Sequence, residues 1–226
     1  MATTDAPTYL LIDGENIDAT LGMSVLNRRP NPEERPRWDR VLQFAAGLWA
    51  AGDDADAGGS DGSGGSGYGM PAPGGTSRNG NGAAVAPAVK GLFFLNATSG
   101  QMPMSFVQAL LAMDFTPIPL AGSGTEKVVD IGIQRTMDAI LARGTGNVLL
   151  ASHDGDYIPQ VEALLDAGHE VAVLAFREFV NAELQHLTER GLTIHDLEDS
   201  VGAFNAVLPR VRIIPLDVFD PTRYLL

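Results

Sequence analysis

The chain has 226 residues, 28 acidic and 15 basic, and its formal net charge of −13 argues against a general nucleic-acid coating protein, because such a surface repels phosphate backbones. It contains no cysteine, which excludes disulfide scaffolds, thiolate metal sites and cysteine nucleophiles and fits a cytoplasmic location. No apolar run approaches the roughly 20 residues that span a bilayer, and Met1–Thr8 lacks a signal-peptide pattern, so we expect neither a membrane partner nor secretion.

Short apolar runs alternate with segments of helical spacing along most of the chain. In chain order, the predicted elements are a strand at Thr8–Asp13, a helix at Arg37–Ala50, a strand at Gly91–Leu95, a helix at Pro103–Met113, an edge strand at Thr116–Leu120, a long helix at Lys127–Arg143, a strand at Asn147–Ser152, a helix at Ile158–Ala167, a strand at Glu170–Ala175, a helix at Ala182–Arg190 and a sixth strand at Leu192–Leu197. The strands are too continuously apolar to be covered on one side only. This alternation predicts an α/β fold, a parallel sheet with helices on both faces.

Two segments stand apart from this alternation. Residues 52–87 are rich in glycine, serine, aspartate and proline, so we interpret them as a disordered insert in one domain at 1–200. That insert is either a variable surface loop or a tether for a protein partner. Residues 201–226 form a C-terminal extension, in which Val211–Val218 is an extra strand or a wrapping tail. Its apolar residues are a candidate interface for a homo-oligomer.

Acidic residues occur at three places that should share one edge of the sheet. Asp13 ends the first strand, Asp154 and Asp156 follow the fourth strand, and Asp130 lies in the first turn of the long helix. Each has an alternative explanation, because aspartate is a common helix N-cap, a common turn residue and a favourable charge at a helix start. Ligands of open parallel sheets bind beyond the carboxyl ends of the strands. The coincidence of three acidic groups there therefore favours a shared site.

Several carboxylates gathered in a small space repel one another unless a cation balances them. Hard divalent cations such as Mg²⁺ or Mn²⁺ match a set of oxygen ligands. One or two such ions can activate water for attack on a phosphodiester. No serine–histidine pair is evident in the sequence, and cysteine is absent. The pattern therefore favours metal-assisted hydrolysis over a side-chain nucleophile.

The segments that carry these acids resemble the NYN branch of the PIN-like nucleases. LIDGENID resembles the opening strand of that family, EKVVDIGI its central motif, and SHDGDYIPQVEALLDAGHEVAV its strand–turn–helix–strand stretch. The similarity runs from Thr8 to about Leu197, apart from the insert. It implies a Rossmann-like, PIN-like three-layer fold in which the first and fourth strands are neighbours. It also implies a metal-dependent endoribonuclease that uses Mg²⁺ or Mn²⁺ to cleave RNA.

The resemblance assigns the four aspartates to catalysis and metal binding. Asp13, Asp130 and Asp154 are expected to carry the metal, with Asp156 as a further ligand or a group that orients water. The family usually has another aspartate on the central helix, for which Asp138 is the nearest candidate. Asp138 lies eight residues beyond Asp130 in the sequence, roughly 80° away around a helix of 3.6 residues per turn, so we leave it out of the site.

Four further residues are expected to contact substrate. Asn16 should hydrogen-bond a ligand water, a carboxylate or the scissile phosphate, and Lys127 should meet a phosphate or steady the carboxylates. Ser152 precedes the acidic turn. His153 stands where the family often has glycine, and we expect it at the rim of the pocket, in contact with substrate or in proton transfer.

The sequence argues against one alternative function and leaves two others open. An aspartyl phosphatase of the haloacid-dehalogenase type needs Asp-x-Asp after the first strand, where this chain has Asp13-Gly14-Glu15. A catalytically silent PIN-like module that binds RNA or a protein agrees with the low count of basic residues, because an RNase normally has a positive track beside its metal. A regulatory protein that recruits partners through the insert is the third alternative.

Overall fold

The computed structural model describes residues 6–49, 88–212, 214 and 216–225, so the predicted insert at 52–87 lies outside the described residues. The strands are β1 (Thr8–Asp13), β2 (Val89–Asn96), β3 (Thr116–Leu120), β4 (Asn147–Ala151), β5 (Val171–Ala175) and β6 (Thr193–Asp196). The α-helices are α1 (Gly14–Ala19), α2 (Trp38–Leu48), α3 (Met104–Ala112), α4 (Val128–Arg143), α5 (Ile158–Asp166) and α6 (Ala182–His186). A π-helical segment, Thr20–Leu26, continues α1.

The six strands form one open sheet in the order β3-β2-β1-β4-β5-β6, and every neighbouring pair is parallel. The chain moves outward from β1 to β3, returns to the centre and continues outward on the other side from β4. Such a reversal creates a crevice at the carboxyl ends of the two central strands. Ile12 of β1 is paired in register with Ala151 of β4. Asp13 and Ser152 therefore come next on adjacent strands.

Helices cover both faces of the sheet, and each face has its own hydrophobic core. Leu10 and Ile12 of β1 pack with α1, α2 and α3, whereas Leu11 packs with α4, α5 and α6. This alternation follows from the two-residue period of a strand. The predicted α/β class with a parallel sheet and helices on both faces is confirmed, and so is the position of β3 at an edge. Among the described residues, every helix is too short or too polar to cross a bilayer.

Two parts of the C-terminal half differ from the sequence-based expectation or refine it. The span predicted as a helix, Ala182–Arg190, is helical throughout, but α6 ends at His186 and its last four residues, Leu187–Arg190, form a 3₁₀ helix. The described part of the extension contains no strand, and Phe204 and Leu208 are buried in the core beside α1 and α2. Further along, exposed apolar side chains stand on the surface at Val207, Val211, Leu216 and Val218. A homo-oligomeric interface there remains a prediction.

Candidate functional site

Asp13 ends β1 as a buried carboxylate with partners on both oxygens. It is 2% exposed. Its Oδ1 accepts a hydrogen bond of 3.1 Å from the Asn16 N–H. Its Oδ2 accepts one of 3.2 Å from the Ser152 hydroxyl and one of 2.9 Å from the Tyr157 hydroxyl. Burial raises the pKa of Asp13 from 3.8 to about 6, although these donors favour its charged form.

The segment after β4 supplies both the partners of Asp13 and two further acids. Ser152 is fully buried, and its hydroxyl also accepts a hydrogen bond from the Asp154 N–H at 3.2 Å. Asp154 caps the 3₁₀ helix Gly155–Tyr157, since its Oδ1 accepts from the Asp156 N–H at 3.0 Å. Burial and neighbouring carboxylates raise the pKa of Tyr157, so its hydroxyl stays protonated and donates to Asp13. This turn therefore connects the ends of β1 and β4.

Asp130 reaches the same place from the first turn of α4. The helix can lie close to the sheet because residue 132 is glycine. A Cβ at Gly132 would collide with the side chain of Leu120 at the end of β3. The approach places the beginning of α4 beside the 3₁₀ helix Gly155–Tyr157, which it contacts.

Three carboxylates converge at this point. Asp130, Asp154 and Asp156 each offer one oxygen, and these oxygens all lie within 4.8 Å of one another. The Lys127 ammonium lies beside them, with its Nζ 2.7 Å from Asp156 Oδ2 and 3.4 Å from Asp130 Oδ2. These two acids raise the pKa of Lys127. We call Asp130, Asp154 and Asp156 the acidic triad.

Asp13 is not a member of the acidic triad, which differs from the expectation that it shares a metal with Asp130 and Asp154. It does line one cavity of about 320 Å³ with those two residues, and the charge of Asp130 contributes to its raised pKa. However, both of its oxygens are already hydrogen-bonded to Asn16, Ser152 and Tyr157. The structure thus places Asp13 in the wall of the site, held by the protein itself.

The donor atoms of the acidic triad fit a hard divalent cation. All three are carboxylate oxygens, which Mg²⁺ and Mn²⁺ prefer. Magnesium binds oxygen at roughly 2.0–2.1 Å, so two ligands on opposite sides of one ion lie about 4.2 Å apart. Ligands at right angles on one ion lie about 3 Å apart. Oxygens within 4.8 Å of one another are therefore close enough for changes of side-chain torsion to bring them onto one ion. The triad residues, unlike Asp13, are partly exposed, so an ion can reach them from solvent.

His153 lies in the interior, so the prediction that it stands at the rim is wrong. It is 7% exposed, and its Nε2 accepts a hydrogen bond of 2.8 Å from the Phe176 N–H. Nδ1 must then carry the proton, and it donates to Asn16 Oδ1 at 3.0 Å. Burial lowers the pKa of His153 to about 4, so the ring is neutral at pH 7. Since Ser152 is also buried and hydrogen-bonded, these two residues position Asn16 and Asp13 rather than face a substrate.

The C-terminal extension packs behind His153. The Phe176 ring stacks on His153 with centroids 5.5 Å apart, and the guanidinium of Arg210 lies 4.9 Å from the centre of the Phe176 ring. The Arg210 side chain is only 1% exposed. It pairs with three carboxylates at 2.5–3.1 Å, those of Glu178, Asp196 and Glu198. A residue far along the chain therefore supports the histidine that holds Asn16.

Sequence reasoning missed three residues of this arrangement. Tyr157 follows Asp156 in the acidic turn, and a polar aromatic residue beside a predicted carboxylate site was the available signal. Phe176 and Arg210 lie in other segments, and nothing in their local sequence connects them with His153. Asn16 and Lys127 do lie at the site, the first hydrogen-bonded to the backbone of residue 153 at 2.8 Å and the second paired with the triad.

Comparison with known proteins supports the fold and leaves the function open. No protein-family model matches the chain, and no curated protein matches it. A crystal structure of a protein of unknown function from Vibrio parahaemolyticus is similar, with a TM-score of 0.55 and 14% sequence identity over 89% of this chain and 98% of that chain. At that identity the similarity establishes a shared α/β architecture. The NYN resemblance therefore remains an interpretation based on motifs.

Proposed function

We propose that this protein is a metal-dependent endoribonuclease of the PIN-like type that hydrolyses RNA phosphodiester bonds. One observation carries the proposal: Asp130 of α4 and the pair Asp154 and Asp156 of the turn after β4 come from two segments far apart in the chain, and their oxygens lie within 4.8 Å of one another at the crevice between β1 and β4. If these aspartates served only as helix N-caps or turn residues, their side chains would not need to lie close together. Convergence at the ligand-binding end of such a sheet is the arrangement that a metal-dependent phosphodiesterase requires.

The side chains of the acidic triad would hold Mg²⁺ or Mn²⁺. When bound, such an ion activates water and offsets the charge on the reacting phosphate. Asp13 lines the same cavity, fixed by Tyr157 and Ser152, and adds negative charge that favours a cation there. The exposed ammonium of Lys127 can turn from the triad toward a phosphate oxygen, since Lys127 is 66% exposed. Asn16 is oriented by His153 at the wall of that cavity.

The overall charge makes this cation important for binding RNA. A net charge of −13 repels a polyanion at long range. A divalent ion in the triad, together with Lys127, would reverse the sign locally. We expect RNA affinity to depend on the metal for this reason. The cysteine-free sequence agrees with the cytoplasmic location that we propose.

The pairing of Lys127 favours a second candidate function. Because its ammonium already contacts Asp156 and Asp130, part of the triad's charge is balanced without a metal. In a catalytically silent PIN-like module that binds RNA or a protein, this charge balance by Lys127 would be sufficient and no metal would be required. The two candidates differ in whether the triad binds a divalent ion and whether the ion supports cleavage.

A cleavage assay distinguishes the two functions. Single-stranded and hairpin RNAs would be incubated with the wild-type protein, Asp154→Asn and Asp138→Asn, in Mg²⁺, Mn²⁺ or EDTA. Asp138 is exposed on α4 and outside the triad, so its variant matches the change of charge without touching the site. We expect metal-dependent cleavage by the wild type and Asp138→Asn, and a loss of at least about 100-fold in Asp154→Asn. Equal activity in all three proteins, or activity in EDTA, would contradict the proposal.

A further inference from the structure

A second cavity adjoins the acidic one, and its walls are mainly apolar and include several aromatic rings. Its volume is about 400 Å³, within the range of about 300–1,000 Å³ that is usual for small-molecule sites. Its apolar walls come from Trp38, Phe93, Phe106, Pro103 and Met113. The Phe93 ring is edge-on to Trp38 at 5.2 Å and to Phe106 at 5.3 Å between ring centres. We call this cavity the aromatic pocket.

The aromatic pocket and the acidic cavity share a wall. Glu15 lines both of them. Gly14, which directly follows Asp13, also lines the aromatic pocket, and the Phe93 ring occupies the space beside it. A Cβ at Gly14 would lie 2.6 Å from two atoms of that ring. The glycine thus lets the aromatic ring approach the backbone that carries the buried carboxylate.

Four of the five charged residues that line the aromatic pocket form opposite pairs, and the fifth is Glu15. Arg35 lies 3.0 Å from Asp18, and Arg37 holds Asp39 with two contacts of 2.8 and 3.0 Å. The Nε of Arg35 is buried without a hydrogen-bond partner. A pocket with apolar walls, donors and acceptors at its edge and little net charge suits a flat, neutral group that can stack and hydrogen-bond. A purely aliphatic ligand would leave these polar groups unused.

We propose that the aromatic pocket binds a nucleobase of the RNA, next to the phosphate that reacts at the acidic triad. This inference rests on the proposed function for its substrate. A base and its phosphate are separated by one ribose, so a nucleotide whose phosphate lies in the acidic cavity can place its base in a pocket that shares a wall with it. Stacking of bases on aromatic side chains contributes affinity without strict dependence on base identity.

Tryptophan fluorescence provides a direct test that does not depend on cleavage. The chain has two tryptophans, so Trp49→Phe leaves Trp38 as the only one. This protein, in EDTA, would be titrated with adenosine, with cytidine and with ribose, which has no base; none of these carries a phosphate that the metal-free acidic cavity would repel. Phe106→Ala in the same background shortens a partly exposed wall residue. Leu111→Ala on the same helix α3 is the control, since Leu111 is 57% exposed and does not line the pocket.

We expect saturable quenching of Trp38 by the nucleosides and none by ribose. Phe106→Ala should weaken nucleoside binding by about 5- to 150-fold, whereas Leu111→Ala should leave it unchanged. Absence of quenching up to about 10 mM nucleoside, where a site with a Kd of about 1 mM is roughly nine-tenths filled, would overturn the inference. An equal response to ribose would also overturn it, because the base would then contribute nothing to binding.

The outcome separates this inference from the proposed function. Nucleoside binding in EDTA without any RNA cleavage would support the pocket while the nuclease proposal fails. Metal-dependent cleavage with the same KM in Phe106→Ala and Leu111→Ala, together with no quenching, would support the nuclease and reject the pocket.

Discussion

Replacing Asp13 by asparagine should make the metal-free protein more stable at neutral pH. Asp13 is 2% exposed, and burial raises its pKa from 3.8 to about 6. The folded state therefore binds a proton more readily than the unfolded state, and keeping this carboxylate ionised above pH 6 costs stability. The difference between a pKa of 3.8 in the unfolded chain and one of about 6 in the folded protein corresponds to about 3 kcal/mol.

The sign and size of the effect depend on pH. As pH falls from 6 toward 3.8, the folded protein takes up the proton first, so the stability cost is relieved over this range. The asparagine variant carries no such charge. Its Oδ1 can still accept from the Asn16 N–H, but its amide nitrogen cannot accept from Tyr157 or Ser152 and instead must donate to them, which we expect to cost about 1 kcal/mol. The expected net gain is about 1–3 kcal/mol above pH 7, shrinking or reversing near pH 4.

Urea unfolding in EDTA at several pH values between 4 and 8 would measure this effect. Asp138→Asn is the matched control, because it makes the same substitution at an exposed position on α4. Its unfolding free energy should follow that of the wild type throughout. A stability difference between Asp13→Asn and wild type that does not change with pH, or a less stable variant at pH 8, would refute the reasoning.

Three further predictions concern residues around Asp13 and the acidic triad. Tyr157→Phe removes a hydrogen-bond donor that favours the ionised form of Asp13, so the pKa of Asp13 should rise above about 6. A carbon-13 NMR titration of the Asp13 carboxyl group would measure this, and an unchanged or lower pKa would contradict the role of Tyr157. Arg210→Met leaves the largely buried Glu178 and Asp196 without their cation, whereas Glu198 keeps Arg212, and this should lower the free energy of unfolding in urea by about 3–5 kcal/mol. A loss below 1 kcal/mol would contradict it. Lys127→Met removes the ammonium that competes for Asp156, so Mn²⁺ affinity should rise by about two- to five-fold while the KM for RNA rises. A fall in Mn²⁺ affinity would contradict that interpretation.

The sheet and the gathering of acids were predictable because both depend on repeating patterns. Continuous apolar runs between helical segments indicate a parallel sheet, and carboxyl ends of its strands necessarily meet at one edge. This reasoning brought Asp130, Asp154 and Asp156 to one place. The sequence pattern could not predict which hydrogen-bond partners each carboxylate oxygen has. The hydroxyls of Tyr157 and Ser152 donate hydrogen bonds to Asp13. Only the three-dimensional packing determines this pairing.

His153 and the end of α6 show the same limit. A histidine in an acidic turn is expected to be exposed. His153 is buried because the ring of Phe176, which directly follows β5, stacks on it, and Arg210 in turn covers Phe176. The apolar periodicity of Ala182–Arg190 gives no sign of the change from α-helix to 3₁₀ helix after His186. Both features depend on contacts between segments that are distant in the chain.

Manganese binding in the absence of RNA tests the central claim most directly. Calorimetric titration at pH 7.5 would compare the wild type with Asp154→Asn and with Asp138→Asn. We expect Mn²⁺ to bind the wild type and Asp138→Asn with the same affinity, and Asp154→Asn to bind at least about 10-fold more weakly. Equal affinity in all three proteins, or no binding by the wild type at millimolar Mn²⁺, would show that Asp130, Asp154 and Asp156 do not form a metal site.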